Sequence, residues 1–378
     1  MKIGMLTTSL PHRGDPVAGS FVAEMAEALA ARGHELRVVA IRRREPRGWD
    51  DPLELRGVAS HALRAPGATL LYDGGAPDRL GRFGAWPRVV GVTAASAWGA
   101  ARHLRGCDAL VSHFLAPSAV VAGALRGGRP HLAIAHGSDA ALFAKLPVGL
   151  RALALRGATR RWYVHPGLRL AVDPGDVDAI VSPMGFVPSV RAPAPRARVL
   201  RAAVVSRLVP VKDVARALRA VAYARASGAA LEVDVIGDGP LRGELAALAS
   251  SLGGFAVLHG ALPPADRDRV LAGCHVQLHA ATTLADGRGE GAPVALLEAM
   301  GAGRCVVATG SGGVGWLVGD AGEVLDERAS ARAIGAALHR LALDDDAREA
   351  LGERAKARAE RWTWGEQARR VEEALGAR

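Results

Sequence analysis

The chain has 378 residues, 49% of them apolar and only 4% aromatic, with a formal net charge of +10. That length suits two domains rather than one core, and the apolar share is enough to fill both. No run of about 18 apolar residues occurs, so no transmembrane helix is expected. The opening residues, Met1 to Leu6, run straight into a strand pattern and lack the length of a signal peptide. Cys107, Cys274 and Cys305 are scattered in apolar surroundings. They read as reduced core thiols of a cytoplasmic protein, not as a disulfide frame or a zinc site. Residues 1–186 hold 23 Lys+Arg against 15 Asp+Glu (net +8), and residues 187–378 hold 25 against 23 (net +2). A basic half fits an anionic membrane, a phosphorylated substrate or an Arg-rich solvated surface. Nucleic acid is disfavoured, because the one dense basic run, Arg42-Arg43-Arg44, lacks interleaved aromatics.

Taken in chain order, the pattern opens with a buried strand at 2–6 and a polar, Gly- and Pro-bearing loop at 7–19. A helix follows at 20–32, where Phe21, Val22, Met25, Ala28 and Leu29 recur at helical spacing. Gly33 suits its C-terminal cap, and Ser20 offers an N-cap side chain. A strand at 35–41 completes a βαβ unit, which implies a parallel sheet. Further strands are expected near 109–112, 132–135 and 179–181. Residues 187–197 carry three prolines and little apolar content, and read as an interdomain linker.

The pattern then restarts. Strands are expected at 202–205, 231–236, 276–279 and 305–308. Helices are expected at 214–227, with Gly228 as cap, at 241–252 and at 293–302. An Ala/Arg/Glu-rich helical region runs on from 329. The chain therefore reads as α/β throughout, with two doubly wound domains. Ligands of such sheets bind outside the carboxyl ends of the strands, so the default site is a cleft between the domains.

Four constellations carry chemistry. The most informative is Glu290-Gly291-Ala292-Pro293-Val294, followed by Glu298 on an apolar helix. Pro293 falls where the first helical position should be, since its missing N–H has no intrahelical partner there. Free amides flanked by two carboxylates suit a phosphate and hydroxyls together, which describes a nucleotide-sugar. In the second, Arg207 and Lys212 lie five residues apart on a loop entering a helix. They could neutralise a departing diphosphate, or be ordinary surface charges; the two glutamates in the same domain favour the first option.

The third is Ile236-Gly237-Asp238-Gly239-Pro240, which follows a strand. Pro240 and the lack of a third glycine argue against a dinucleotide fingerprint, leaving a strand-to-helix turn that lines the cleft. The fourth combines Ala135-His136-Gly137-Ser138-Asp139, at a strand's carboxyl end, with Gly19 at the first loop-to-helix junction. His136 could bond a sugar hydroxyl or be structural. Gly19 would let the backbone approach a ligand closely. His113, His131, His165, His259 and His279 have no comparable context, and no pair of them has metal-ligand spacing. The triplets Asp176-Val177-Asp178 and Asp266-Arg267-Asp268 do not sit in cleft-facing loops, so no metal is expected.

Together these motifs, with Arg32-Gly33-His34-Glu35 and Glu298-Ala299-Met300, resemble the retaining glycosyltransferases of family 4 over nearly the whole chain. The resemblance implies the GT-B architecture: two Rossmann-like domains facing a central cleft, and a last helix crossing back to the first domain. The boundaries would be 1–186 with 363–378 for the acceptor side, 187–197 for the linker and 198–362 for the donor side. It also implies roles. Arg207 and Lys212 would hold the donor diphosphate, helped by amides of Gly291, Ala292 and Val294 around Pro293. Glu290 would bond the donor sugar, and Glu298 the ribose. Gly237 and Gly239 would line the donor site, His136 would sit by the sugar, and Gly19 would pass close to the diphosphate. No metal or cofactor is implied; the nucleotide-sugar, a UDP-sugar by preference, is a co-substrate.

The chain departs from the family at Ser206, at Pro183-Met184-Gly185-Phe186-Val187 and at Gly312-Gly313-Val314-Gly315-Trp316. The acceptor is unread, although loops within 42–88 are where it would be recognised. A nucleotide-sugar epimerase and a catalytically silent binding subunit stay open as alternatives. So does contact with an anionic membrane through the mixed apolar and basic segment 142–163.

Overall fold

The computed structural model describes residues 1–13, 17–42, 54–65, 86–137, 139, 143, 147–187 and 196–376. Most of the expected linker, much of the expected acceptor loops, Ser138 and most of 142–146 lie outside the described residues. The chain divides into two compact units, Met1–Gly185 with Trp364–Arg378, and Phe186–Thr363.

The first unit holds a parallel sheet of β1 (Lys2–Thr7), β2 (Glu35–Arg42), β3 (Val58–Arg64), β4 (Ala109–His113), β5 (His131–Ala135), β6 (Arg160–Tyr163) and β7 (Ile180–Val181). Their spatial order is β3-β2-β1-β4-β5-β6-β7. The second unit repeats the plan with β8 (Leu200–Val205), β9 (Leu231–Ile236), β10 (Ala256–Gly260), β11 (Val276–His279), β12 (Cys305–Thr309) and β13 (Glu323–Leu325). Here the order is β10-β9-β8-β11-β12-β13. Central strands such as β4, β5 and β12 are buried along their whole length. Parallel strands covered by helices on both faces need such unbroken burial, which explains their apolar runs. The strand order reverses between β1 and β4 in one sheet, and between β8 and β11 in the other. Ligands of open α/β sheets bind beside such switch points, at the carboxyl ends of the strands.

Strands β3, β6, β10 and β13 were not expected from the pattern. β3 and β10 are partly exposed edges, β13 is three residues long, and β6 begins with two arginines. Trp162 and Tyr163 of β6 are fully buried. The aromatic end of the 142–163 segment is therefore core, not a surface for a membrane. Among the described residues, no helix is long and apolar enough to cross a bilayer.

Helix α1 (Ser20–Ala31) buries Val22, Met25 and Leu29 as its periodicity predicts. Its N-cap is Gly19, in the left-handed region at φ 72°, with no side-chain cap; Ser20 is already helical, so the expected Ser20 cap does not form. A Cβ on Gly19 would lie 2.6 Å from the Ser9 carbonyl oxygen, so only glycine fits. The last helix, Trp364–Leu375, buries Trp364, Gln367, Ala368, Val371 and Leu375, a single helical stripe packed within the first unit. Glu372 on this helix accepts from Arg32 Nε at 2.7 Å and Nη2 at 2.8 Å, and lies 2.9 Å from His34 Nε2. The Arg-Gly-His-Glu run thus serves as an anchor for the C-terminal helix.

The Arg32 hydrogen bonds, outweighing desolvation, hold the Glu372 carboxyl down from its ordinary 4.5 to about 2. A depressed carboxylate contributes stability that is complete above its ordinary pKa and is lost as pH falls through the folded value. Glu372→Gln should therefore cost about 1 kcal/mol at neutral pH, since solvent screens a partly exposed pair. Calorimetry should show the first unit melting roughly 2–4 °C lower. The gap from wild type should close as pH is lowered from 4.5 towards 2.

Candidate active site

The second unit builds its site at the switch point between β8 and β11. After β8 the chain turns through a 3-10 segment, Pro210–Lys212, and ends it at Asp213, left-handed at φ 39°. The next helix, Val214–Ala226, takes Asp213 as its N-cap, the carboxylate accepting from the Arg216 N–H at 3.2 Å. Arg216 then reaches across, donating to the carbonyls of Ala280 at 2.6 Å and Ala281 at 2.9 Å, just beyond β11. Thr282 N–H closes the link on the Val211 carbonyl at 2.9 Å. The loops after β8 and β11 are thereby tied together, and each contributes one member of an ion pair.

That pair is Lys212 Nζ to Glu290 Oε1 at 2.6 Å, with both side chains largely buried. His279, the last residue of β11, brings Nε2 to 4.0 Å from the same carboxylate oxygen. Burial alone would push Glu290 up. The electrostatic pull of Lys212 above all, with smaller contributions from the His279 ring and Arg207, overcomes it and holds the carboxyl below its usual range. His279 is pushed down to about 4, chiefly by burial, and is neutral at physiological pH. Glu290 is therefore an anion held by one buried cation, and Lys212 keeps two further N–H donors for another acceptor.

Two glycines shape the glutamate loop. Gly313 N–H donates to the Glu290 carbonyl at 3.1 Å. Gly312 sits at φ 57° with its Cα so close that a Cβ would meet the same oxygen at 1.9 Å. Pro293 is the N-cap of helix 294–301 rather than its first residue, with extended ψ of 120°. The expected placement of Pro293 inside the helix is off by one position, because its carbonyl already accepts from Leu296 and Leu297. The N–H groups of Gly291, Ala292 and Val294 make no backbone hydrogen bond among the described residues. Arg207, in the loop after β8, is exposed; its carbonyl accepts from Val209 N–H at 3.0 Å, and its guanidinium makes no hydrogen bond among the described residues. Glu298 is half-buried, with Arg267 Nη1 at 3.4 Å from its Oε1.

Gly237 and Gly239 act on the same loop from the side. A Cβ on Gly237 would meet the Ser206 carbonyl oxygen at 1.8 Å, and one on Gly239 the Leu208 oxygen at 2.5 Å. Leu208 N–H also donates to the Asp238 carbonyl at 2.9 Å. In this structure the two glycines let the Gly237–Gly239 turn lie flush against the Arg207 loop and so position that arginine. The Asp266 and Asp268 carboxylates pair with Arg269 and Arg267, and Asp176 pairs with Arg161.

In the first unit His136 follows β5, and His113 ends β4. Their rings are nearly coplanar, 13° apart, with His113 Nδ1 3.0 Å from His136 Nε2. The structure thus sets His113 beside His136 and His279 beside Glu290, neighbours that the sequence reading does not pair, because adjacency across parallel strands cannot be read from one strand at a time. Asp139 works on the loop backbone beside His136. Its carboxylate accepts the backbone N–H groups of His136 at 3.1 Å, Gly137 at 3.0 Å and Leu115 at 2.8 Å, which fixes the loop.

Residues 195–358, which lie within the second unit, match the family described as glycosyl transferases group 1. Comparison with curated proteins finds no match. Among solved structures, the chain is similar to a sucrose-phosphate synthase from Thermosynechococcus elongatus, with TM-score 0.73, 17% identity, and 99% of this chain and 98% of that one covered. It is also similar to HepE of Anabaena in complex with UDP, with TM-score 0.72, 18% identity and 100% of both chains covered. A third likeness is to a trehalose-6-phosphate synthase studied for glycosyl transfer with retention, with TM-score 0.75, 15% identity, and 100% and 99% covered. The fold is the GT-B fold.

Removing one partner of a buried pair leaves an uncompensated charge, which typically costs about 3–5 kcal/mol. Lys212→Met should therefore destabilise the second unit by about 3 kcal/mol in urea denaturation. Adding Glu290→Gln should recover at least about half of that loss, because the stranded charge is gone. The pH response should also invert. In wild type the depressed Glu290 loses stability as pH falls, whereas in Lys212→Met its pKa is raised and acid becomes stabilising.

Proposed function

We propose that this chain is a retaining glycosyltransferase that moves a sugar from a nucleotide-diphosphate donor, a UDP-sugar by preference, to an acceptor hydroxyl. The observation that carries this reading is the buried Lys212–Glu290 pair at the switch point of the second unit, within the stretch that matches group 1 glycosyl transferases. Around it stand an arginine whose guanidinium makes no hydrogen bond among the described residues and backbone amides without backbone acceptors. An anion-binding set thus borders a hydroxyl-binding carboxylate, which is the polarity of a sugar diphosphate. The preference for uridine is supported by HepE, solved with UDP and with UDP and glucose. Retention is supported by the trehalose-6-phosphate synthase likeness.

In this mechanism Arg207 and the free donors of Lys212 meet the diphosphate oxygens, where charge grows as the glycosidic bond breaks. Amides of Gly291, Ala292 and Val294 and the positive end of helix 294–301 add to that field. The cations take the role a metal would otherwise fill. Glu290, oriented by Lys212, accepts hydrogen bonds from hydroxyls of the sugar being moved, and Glu298 from the ribose. His136 is assigned to a sugar hydroxyl, and Gly19 to close passage of the diphosphate. No nucleophile is assigned.

Glu290→Ala and Lys212→Ala should each lower turnover by at least about a hundredfold, the scale of a lost preorganised charge contact. Near-normal turnover in either variant removes that residue's assignment. The donor is identified by a nucleotide-sugar panel scored by thermal shift, since a ligand bound only by the folded state raises its melting temperature. A panel in which no nucleotide-sugar shifts the melt sinks the reading.

A further inference from the structure

His113 is fully buried at the end of β4, and its Nε2 has no hydrogen-bond partner. Its Nδ1 lies 3.0 Å from His136 Nε2, with ring centroids 5.2 Å apart and planes 13° apart. That is an in-plane hydrogen bond between two ring nitrogens, so one proton lies between them. Phe21 and Phe114 pack on His136 with ring centroids at 4.6 Å and 4.8 Å. The imidazole cannot rotate away from His113 without displacing an aromatic ring. Burial pushes His113 down to about 3 and, with His113 as neighbour, holds His136 well below its usual value. Both rings are therefore neutral, and only two proton arrangements exist.

In one arrangement His136 donates from Nε2, and His113 must carry its own proton on Nε2, buried with no acceptor. In the other, His113 donates from Nδ1, and its Nε2 is a bare lone pair. Orphaned buried N–H groups are rarer than under-satisfied acceptors, so the second arrangement is preferred. It leaves the His136 proton on Nδ1 of a ring that is only half-buried, where a donor is not stranded as it would be on the fully buried Nε2 of His113.

We propose that His113 is a positioning residue that locks His136 in the Nδ1–H tautomer, so that His136 presents one neutral hydrogen-bond donor to a hydroxyl oxygen of the sugar being transferred. The assignment of the ligand rests on the transferase reading above; the tautomer does not. The bond made by one ring nitrogen decides what the other offers. A partner that is itself buried and held in a strand fixes that choice before substrate arrives.

The test is nitrogen NMR on the full chain with ¹⁵N-histidine, without ligand, with the His136 signals assigned from a His136→Gln variant. Wild type should show Nδ1 protonated and Nε2 bare at neutral pH. His113→Leu removes the donor and should shift His136 towards the Nε2–H form. His113→Asn keeps an N–H near the position of Nδ1 and should retain the wild-type pattern. With UDP-glucose as donor, His113→Leu should lower kcat/KM by roughly tenfold or more, the scale of losing an orienting partner, and His113→Asn should restore most of it. A wild-type His136 protonated on Nε2 overturns the proposal, as does a folded His113→Leu chain that keeps the Nδ1–H pattern. If His113→Leu does not fold, the wild-type pattern decides alone. Absence of transfer from any nucleotide-sugar, with the Nδ1–H pattern present, sinks the transferase reading and leaves the tautomer lock standing.

Discussion

The structure of the second unit turns on one buried ion pair. A lysine and a glutamate taken out of water cost free energy unless each finds the other at close range. Here Lys212 and Glu290 do so at 2.6 Å. Much of the surrounding backbone serves that meeting. The left-handed Asp213 ends the turn that carries Lys212, and Arg216 binds that turn to the carbonyls beyond β11. Gly312 and Gly313 seat the Glu290 carbonyl from the other side. The pair exists because the sheet reverses its strand order between β8 and β11, which opens a gap at the carboxyl edge where two loops can converge.

The first unit solves a similar problem with neutral groups. Its sheet also reverses direction, between β1 and β4, and the chain after β1 supplies Gly19 and Phe21 while β4 supplies His113. His136, one strand further on, is held in plane by His113 and packed against Phe21 and Phe114. A charged network there would need countercharges, and burial offers none. Two imidazoles joined by one hydrogen bond hold each other with no net charge. The two halves thus hold their polar groups by different means, ionic in one and tautomeric in the other.

Much of this was legible in the residues. The strands of both sheet centres announced themselves because burial on both faces leaves an unbroken apolar run, as in Leu231–Ile236. The edges did not, because β3 and β10 are half-solvated and β13 is too short to show a pattern. Glu290 was visible as a carboxylate opening a loop before a helix, Arg207 and Lys212 as cations on a loop entering a helix, and His136 as an imidazole at a strand's carboxyl end. His113 and His279 were not, because their importance lies in which strand lies beside them. The glycines of the Gly237–Gly239 turn were recognisable as special, but their reason, the nearness of the Ser206 and Leu208 carbonyls, belongs to a neighbouring loop.

By itself the sequence determined the alternation of strands and helices, the two-fold repetition of the plan, and the chemistry available at each strand end. Those follow from periodicity, burial and local backbone preference, which act over a few residues. Tertiary structure alone decided which groups meet: Lys212 with Glu290 across 78 positions, His113 with His136 across 23, and Glu372 with Arg32 across 340. Pairing of that kind depends on strand order and register, and those are set by how the whole sheet buries its faces rather than by any local stretch.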